Sequence, residues 1–233
     1  MSYEFEYPLA AHAVASERAL FIRRTYSHLA GAILAFMALE TVLLNLPGIE
    51  QLVAMMIGSG VSWLVVLGLF MVVGWIAQTW AQSNTSRGMQ YLGLALYVVA
   101  EAIIFLPLLY IAAYFTDASV IPTAGILTLA VFGGLTLAVF VTGKDFSYLG
   151  PILSVGTLLA LGFIVASLLI GFSLGTLFAF VMVALISGYI LYYTSNVLYH
   201  FHTDQHVAAA LALFACVATL FWYVLRIVMA SRD

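Results

Sequence analysis

Charge is what this chain lacks most. Of its 233 residues only 7% are charged and 65% are hydrophobic. A soluble domain carries roughly a quarter charged residues, so an ordinary soluble fold is excluded. The seven basic residues are scattered, which leaves no electrostatic footprint for a nucleic acid. A single cysteine, Cys216, rules out an intrachain disulfide and a metal framework of thiolates. Intramembrane catalysis also finds no support. The zinc-protease pattern His-Glu-x-x-His is absent, and no serine nucleophile elbow is expected. A two-aspartate protease needs acids in two facing helices, and the last four apolar stretches carry none in their interiors. The chain is expected not to be an enzyme and to need no cofactor.

What the sequence has instead is apolar length. Stretches of about 20 residues recur throughout, enough at ~1.5 Å per residue to cross ~30 Å of hydrocarbon. These predict an all-α polytopic membrane protein, a compact bundle of seven transmembrane helices at 25–46, 52–80, 90–114, 120–142, 149–171, 174–199 and 207–229. A tail, 1–24, precedes this membrane domain (25–229), and a short one, 230–233, follows it. The breaks are polar or turn-prone, as in "NLPGIEQ" (45–51), "QSNTSRG" (82–88), "TGKDFSYLG" (142–150) and "HFHTDQH" (200–206). Within 149–199 only excess length and the pair Gly171 and Gly175 argue for two helices. Glu4, Glu6 and Glu17 stand where a cleavable signal would place a basic start and an apolar core, so targeting falls to the first helix. Gly58, Gly60, Gly68, Gly74, Gly133, Gly134, Gly156 and Gly162 predict close backbone approaches, since lipid supplies little hydrophobic drive between helices.

Basic residues near helix ends set orientation. Arg18, Arg23, Arg24, Arg87 and Lys144 fall on the side of the N-terminus, and Arg226 and Arg232 on the other. This predicts a cytoplasmic N-terminus, in what is read as a bacterial inner membrane. The C-terminal pair dissents, and would fit a last helix that is partly re-entrant.

A few polar residues are hard to explain by packing. Glu101 falls near the middle of the third span, where an acid costs on the order of 3 kcal/mol and faces a bundle interior or a wet cavity. It is read either as a member of an ion or proton path or as a neutral acid bonded to a neighbouring helix. Pro107, six positions on, frees a carbonyl around Ile103. Glu40 and Arg226 reach a similar level in the first and last spans and are expected to pair, as a lock or as a gate. His28 is expected to be a hydrogen-bonded interfacial residue. His200, His202 and His206, with Asp204, match no established metal spacing; a solvated turn is the plainer reading, zinc or nickel the weaker one.

Several segments then read together: "IRRTY" (22–26), "TGKDFSYLG" (142–150), "ISGYILYYTSN" (186–196) and "LALFACVATLF" (211–221). With seven short-looped helices they resemble the Bax inhibitor-1, or transmembrane BAX inhibitor motif, family. The loop Lys144, Asp145, Phe146, Ser147 to Gly150 carries the most specific part of that likeness. The resemblance implies a seven-helix protein of a bacterial inner membrane or eukaryotic endomembrane, a pH-sensitive calcium leak in several members and a suppressor of cell death or membrane regulator in others. It also implies a proton-sharing pair of acids in the sixth and seventh helices. Tyr193 and Cys216 occupy those two places here, and Thr194, Ser195 and Asn196 still match. A phenol and a thiol, with ordinary pKa values near about 10 and 8.5, do not form such a switch near neutrality.

The expected function is therefore a calcium or proton leak with altered gating, its candidate path holding Glu101, Tyr193, Thr194, Asn196 and Cys216. A non-conducting regulator that binds other membrane proteins and a proton-coupled carrier of small solutes are the alternatives. The lipid bilayer is the expected surrounding partner.

Overall fold

A computed structural model describes residues 7–83 and 86–232. Glu4, Glu6, the Asn84 and Thr85 of the second polar break and the last residue of the C-terminal tail lie outside the described residues. Eight helices follow one another: α1 (Ala15–Leu44), α2 (Ile49–Ile57), α3 (Gly60–Ala81), α4 (Arg87–Phe115), α5 (Val120–Thr142), α6 (Gly150–Ile170), α7 (Gly175–Tyr199) and α8 (His206–Ala230). Seven are long and apolar enough to cross a membrane. Helices satisfy every backbone group within one segment, which lipid demands because it offers no hydrogen bonds.

The second span is shorter than its apolar run. Residues 52–80 are not one helix, because the chain breaks at Gly58 and Ser59. A Cβ on Gly58 would sit 2.6 Å from the Ala54 carbonyl oxygen. Ser59 then caps α3, its hydroxyl accepting from the Ser62 N–H at 3.0 Å. The nine-residue α2 instead seats Ile49 and Val53 against Leu106 of α4. α1 starts at Ala15, ten residues before the apolar run suggests. The division of 149–199 holds, and both glycines there have positive φ, +84° at Gly171 and +62° at Gly175.

α8 is the axis of the bundle and packs against α1, α3, α4, α5 and α7. In its most apolar stretch 72% of residues are buried, against 67% in α4 and no more than 22% in any other span. Its unbroken 25 residues rise ~37 Å, long enough to cross the hydrocarbon, and show no re-entrant break. Arg232 beyond it donates to Asp117 at 3.1 Å, tying the C-terminus to the α4–α5 turn. Proline does not interrupt α4, and Ile103 faces outward, half exposed.

Glycines divide sharply by position. A Cβ on Gly93 would meet the Ala77 carbonyl oxygen at 2.5 Å and the Ala81 nitrogen at 2.6 Å, so α3 and α4 touch backbone to backbone there. The sequence reading did not single out Gly93. Gly60 approaches Leu168 and Gly156 approaches Leu185, as expected, and Gly74 makes ordinary contact with Tyr97. Gly68, Gly133, Gly134 and Gly162 have open space where a Cβ would go and make no close approach.

The loop 143–149 is moored to the end of α7. Gly143, in the left-handed conformation, presents its carbonyl to the Tyr199 hydroxyl, and the Ser195 hydroxyl accepts from the Phe146 N–H at 3.1 Å. Asp145 accepts from the Ser147 N–H and from His200 Nε2, both at 2.8 Å. Burial opposes the Asp145 charge, but these donors outweigh it and hold its carboxyl below the ordinary range.

Two outcomes follow. Gly93→Ala should destabilise the bundle by about 1–3 kcal/mol through overpacking, while Gly134→Ala leaves it unchanged. Thermal unfolding in micelles compares them, and equal midpoints would refute the α3–α4 contact. A lowered folded pKa contributes stability above the unfolded value of about 3.9 and loses it as pH falls through the folded value. Asp145→Asn should therefore cost up to about 1 kcal/mol at neutral pH, the pair being half exposed, and progressively less as the pH falls through the folded value. A deficit that persists in acid would assign the loss to something other than this charge.

Candidate functional site

Glu101 is 4% exposed at the middle of α4. Tyr97 precedes it by one turn on the same face, and its phenol stands within electrostatic reach of Glu101, Cys216 and Tyr193. Four residues' spacing is what brings the phenol and the carboxyl together on a helix.

One cavity reaches Glu101, and a second ends at Tyr193 and Cys216 beside it. The first, about 550 Å³, is lined by Glu101 and Tyr97 at its inner end and by Trp63, Ser173 and Arg226 toward the C-terminal face. Aromatic rings build its wall. Trp222 stacks on Trp63 at 6.2 Å and meets Phe105 edge-on at 5.0 Å. The second, about 530 Å³, runs from Gln82 and Phe201 at the N-terminal face inward to Tyr193, Cys216 and Thr219. Thr219 borders both cavities and donates to the Ala215 carbonyl at 2.8 Å. Among the described residues that line the two, Glu101 is the only acid.

Tyr193 and Cys216, aligned above with the paired acids of the resembled family, do come together across α7 and α8. Tyr193 stacks on Tyr189 at 5.9 Å, and the Tyr189 hydroxyl shares a hydrogen bond with Thr157 at 2.9 Å. Thr194 and Asn196 line neither cavity. Thr194 turns away toward Tyr26, whose hydroxyl lies within reach of both Thr194 and Thr136. The Asn196 carbonyl accepts from His200 and Phe201 as α7 ends. One turn of helix rotates 360° in 3.6 residues, so neighbours of Tyr193 need not share its surface.

The expected pair of Glu40 and Arg226 does not form. Glu40 is buried between α1 and its neighbours with neither carboxyl oxygen hydrogen-bonded. Arg226 shares the cavity face of α8 with Thr219 and Trp222, whereas Phe214 is what meets α1, through Phe36 at 6.1 Å. Positions 214 and 226 differ by roughly 120° around the helix, so equal height did not mean equal direction.

The histidines also part. His200 bonds Asp145, His202 Nδ1 donates to the Tyr7 carbonyl at 2.6 Å, and His206 packs against His28. They do not converge on a common point. His28 Nδ1 donates to the Arg24 carbonyl at 2.7 Å. Residues 171–175, Gly-Phe-Ser-Leu-Gly, do spell the five letters of a serine elbow, against the expectation above. That elbow requires a strand-to-helix turn, and here the letters join α6 to α7.

Tyr97, Thr219 and Trp222 escaped the sequence reading. Only Tyr97 had a legible signal, its spacing from Glu101.

Comparison with known proteins agrees with this architecture. A family described as inhibitor of apoptosis-promoting Bax1 matches residues 18–233. Two Arabidopsis thaliana proteins named LIFEGUARD 4 and LIFEGUARD 3 are 29% and 30% identical over 219 residues, covering 91% of this chain and 85% of each relative. An Arabidopsis thaliana BI1-like protein is 36% identical over 117 residues, 48% of this chain and 46% of that relative, so the chain spans about half the length of that protein. With seven spanning helices and a match that runs almost end to end, the chain belongs to the Bax inhibitor-1 family of integral membrane proteins.

Proposed function

We propose that this protein is a small ion conduit, for calcium or protons, whose path follows α8 and whose protonatable group is Glu101. The observation that carries the reading is a buried carboxyl lining one of two cavities that extend toward opposite faces and share Thr219 as a border. An acid in hydrocarbon is costly and marks ion or proton pathways. The Tyr97 phenol supplies a donor between Glu101 and the Tyr193–Cys216 side. Since a phenol and a thiol replace the acid pair, gating here depends on a group on α4 instead. Five of seven basic residues on the N-terminal side support a cytoplasmic N-terminus, and the compact chain supports a bacterial inner membrane. The missing acid pair favours the alternative of a non-conducting regulator that binds other membrane proteins.

Flux into liposomes holding the purified chain separates the two. Calcium or proton flux should differ between about pH 6 and about pH 8, and Glu101→Gln should flatten that difference by holding the group uncharged. Folded protein that passes no more than empty liposomes would replace the conduit by the regulator. Flux that responds to pH equally in Glu101→Gln would move the sensing group elsewhere.

A further inference from the structure

A separate cavity of about 350 Å³ opens at the N-terminal face, where Arg24 and Arg87 meet Glu17 and Asp204 above His206. None of these four charged side chains has an ion pair among the described residues. His206 is 4% exposed, its imidazole within reach of the Asp204 backbone carbonyl. Arg24, Arg87 and His28 all lie within electrostatic reach of that imidazole.

This polar pocket adjoins an apolar one. The His28 ring lies 5.0 Å from His206 and stacks on Tyr91 at 5.4 Å. Below those rings a cleft of about 420 Å³ follows the crease between α1 and α4, past Gly31, Ala35 and Ala95 to Leu39 and Val99. From His28 to Leu39 the helix rises ~16 Å, the depth of one leaflet of a ~30 Å hydrocarbon core. Charges sit at the mouth and small apolar residues below, in the order of polarity along a lipid molecule.

We infer that the two pockets together bind one glycerophospholipid whose head group ends in a primary amine. The phosphodiester lies among Arg24, Arg87 and His206, since guanidinium groups recognise phosphate oxygens by paired donors. The ammonium faces Glu17 and Asp204, and an acyl chain fills the α1–α4 crease. Two cations and two acids balance, which suits a zwitterion; a head group with phosphate alone leaves both acids without a partner.

The test uses the purified full chain in micelles, with bound lipid counted by native mass spectrometry. Four probes are compared: dioleoyl phosphatidylethanolamine, dioleoyl phosphatidylglycerol, dioleoylglycerol and soluble glycerophosphoethanolamine. The ethanolamine lipid should bind about tenfold tighter than each of the others, as one charge-assisted hydrogen bond contributes. Arg24→Gln with Arg87→Gln should reduce it to the level of dioleoylglycerol. Gly31→Leu fills the cleft from a position with open space around its Cβ, and should weaken binding without lowering the unfolding midpoint. Equal binding of dioleoylglycerol overturns the phosphate contact, and equal binding of phosphatidylglycerol overturns the amine contact. Glycerophosphoethanolamine bound as tightly as the lipid makes the pocket one for soluble phosphate esters. The comparison among probes stands on the unmodified protein, so it decides the matter even where a variant fails to fold.

Discussion

Everything in this bundle is arranged around the burial of α8. A helix that is apolar on every side gains nothing by facing water and little by choosing one apolar neighbour over another in lipid. What holds it at the centre is close packing. Small residues on its own surface, Ala208 to Ala210 among them, are buried, and aromatic rings of α1 and α4 interlock with Phe214, Phe221 and Trp222. Where α3 meets α4 at Gly93, backbones touch without a side chain between them. Those contacts leave α3 and α6 to form an outer wall, and the space between wall and axis becomes the two cavities.

Scarcity of charge gives each remaining charge a discernible place. Asp117 holds Arg232, and Asp145 holds His200. Both pairs lie at the faces, where water screens them and their energetic worth is small. They fix loops against helix ends rather than stabilise the core. Asp145 belongs to the loop that carries the family likeness, and its role here is mooring: its carboxylate, Gly143 and the Phe146 N–H all engage α7 or the turn just after it. The charges left in the interior, Glu40, Glu101 and Arg226, differ in kind. One is packed away, and two line a single cavity without pairing.

Tyr193 and Cys216, the two places that the resemblance aligns with a pair of acids, face each other across α7 and α8. A phenol and a thiol lack the mutual repulsion of two acids, and with it the reason for a shared proton. The neighbourhood remains polar through Tyr97, Tyr189, Thr157 and Glu101. A protonatable group one helix away occupies the same layer of the bundle.

By itself the sequence determined the number of spans, the all-α class, the short connections and the unusual depth of Glu101, because hydrophobic length and the cost of a charge in lipid are properties of composition along a line. The likeness of Lys144 to Gly150 and of residues 186–196 to a known family was equally a matter of letters. Only the tertiary structure decided direction. Glu40 and Arg226 share a height, yet Arg226 lies roughly 120° around α8 from Phe214, which meets α1; Thr194 turns from the surface that Tyr193 faces, and three histidines within seven positions go to three places. The break at Gly58 and Ser59 and the contact at Gly93 were equally hidden, since both depend on which atoms stand opposite. Helical phase is cumulative, 3.6 residues to the turn, so a boundary misplaced by two residues rotates every side chain beyond it.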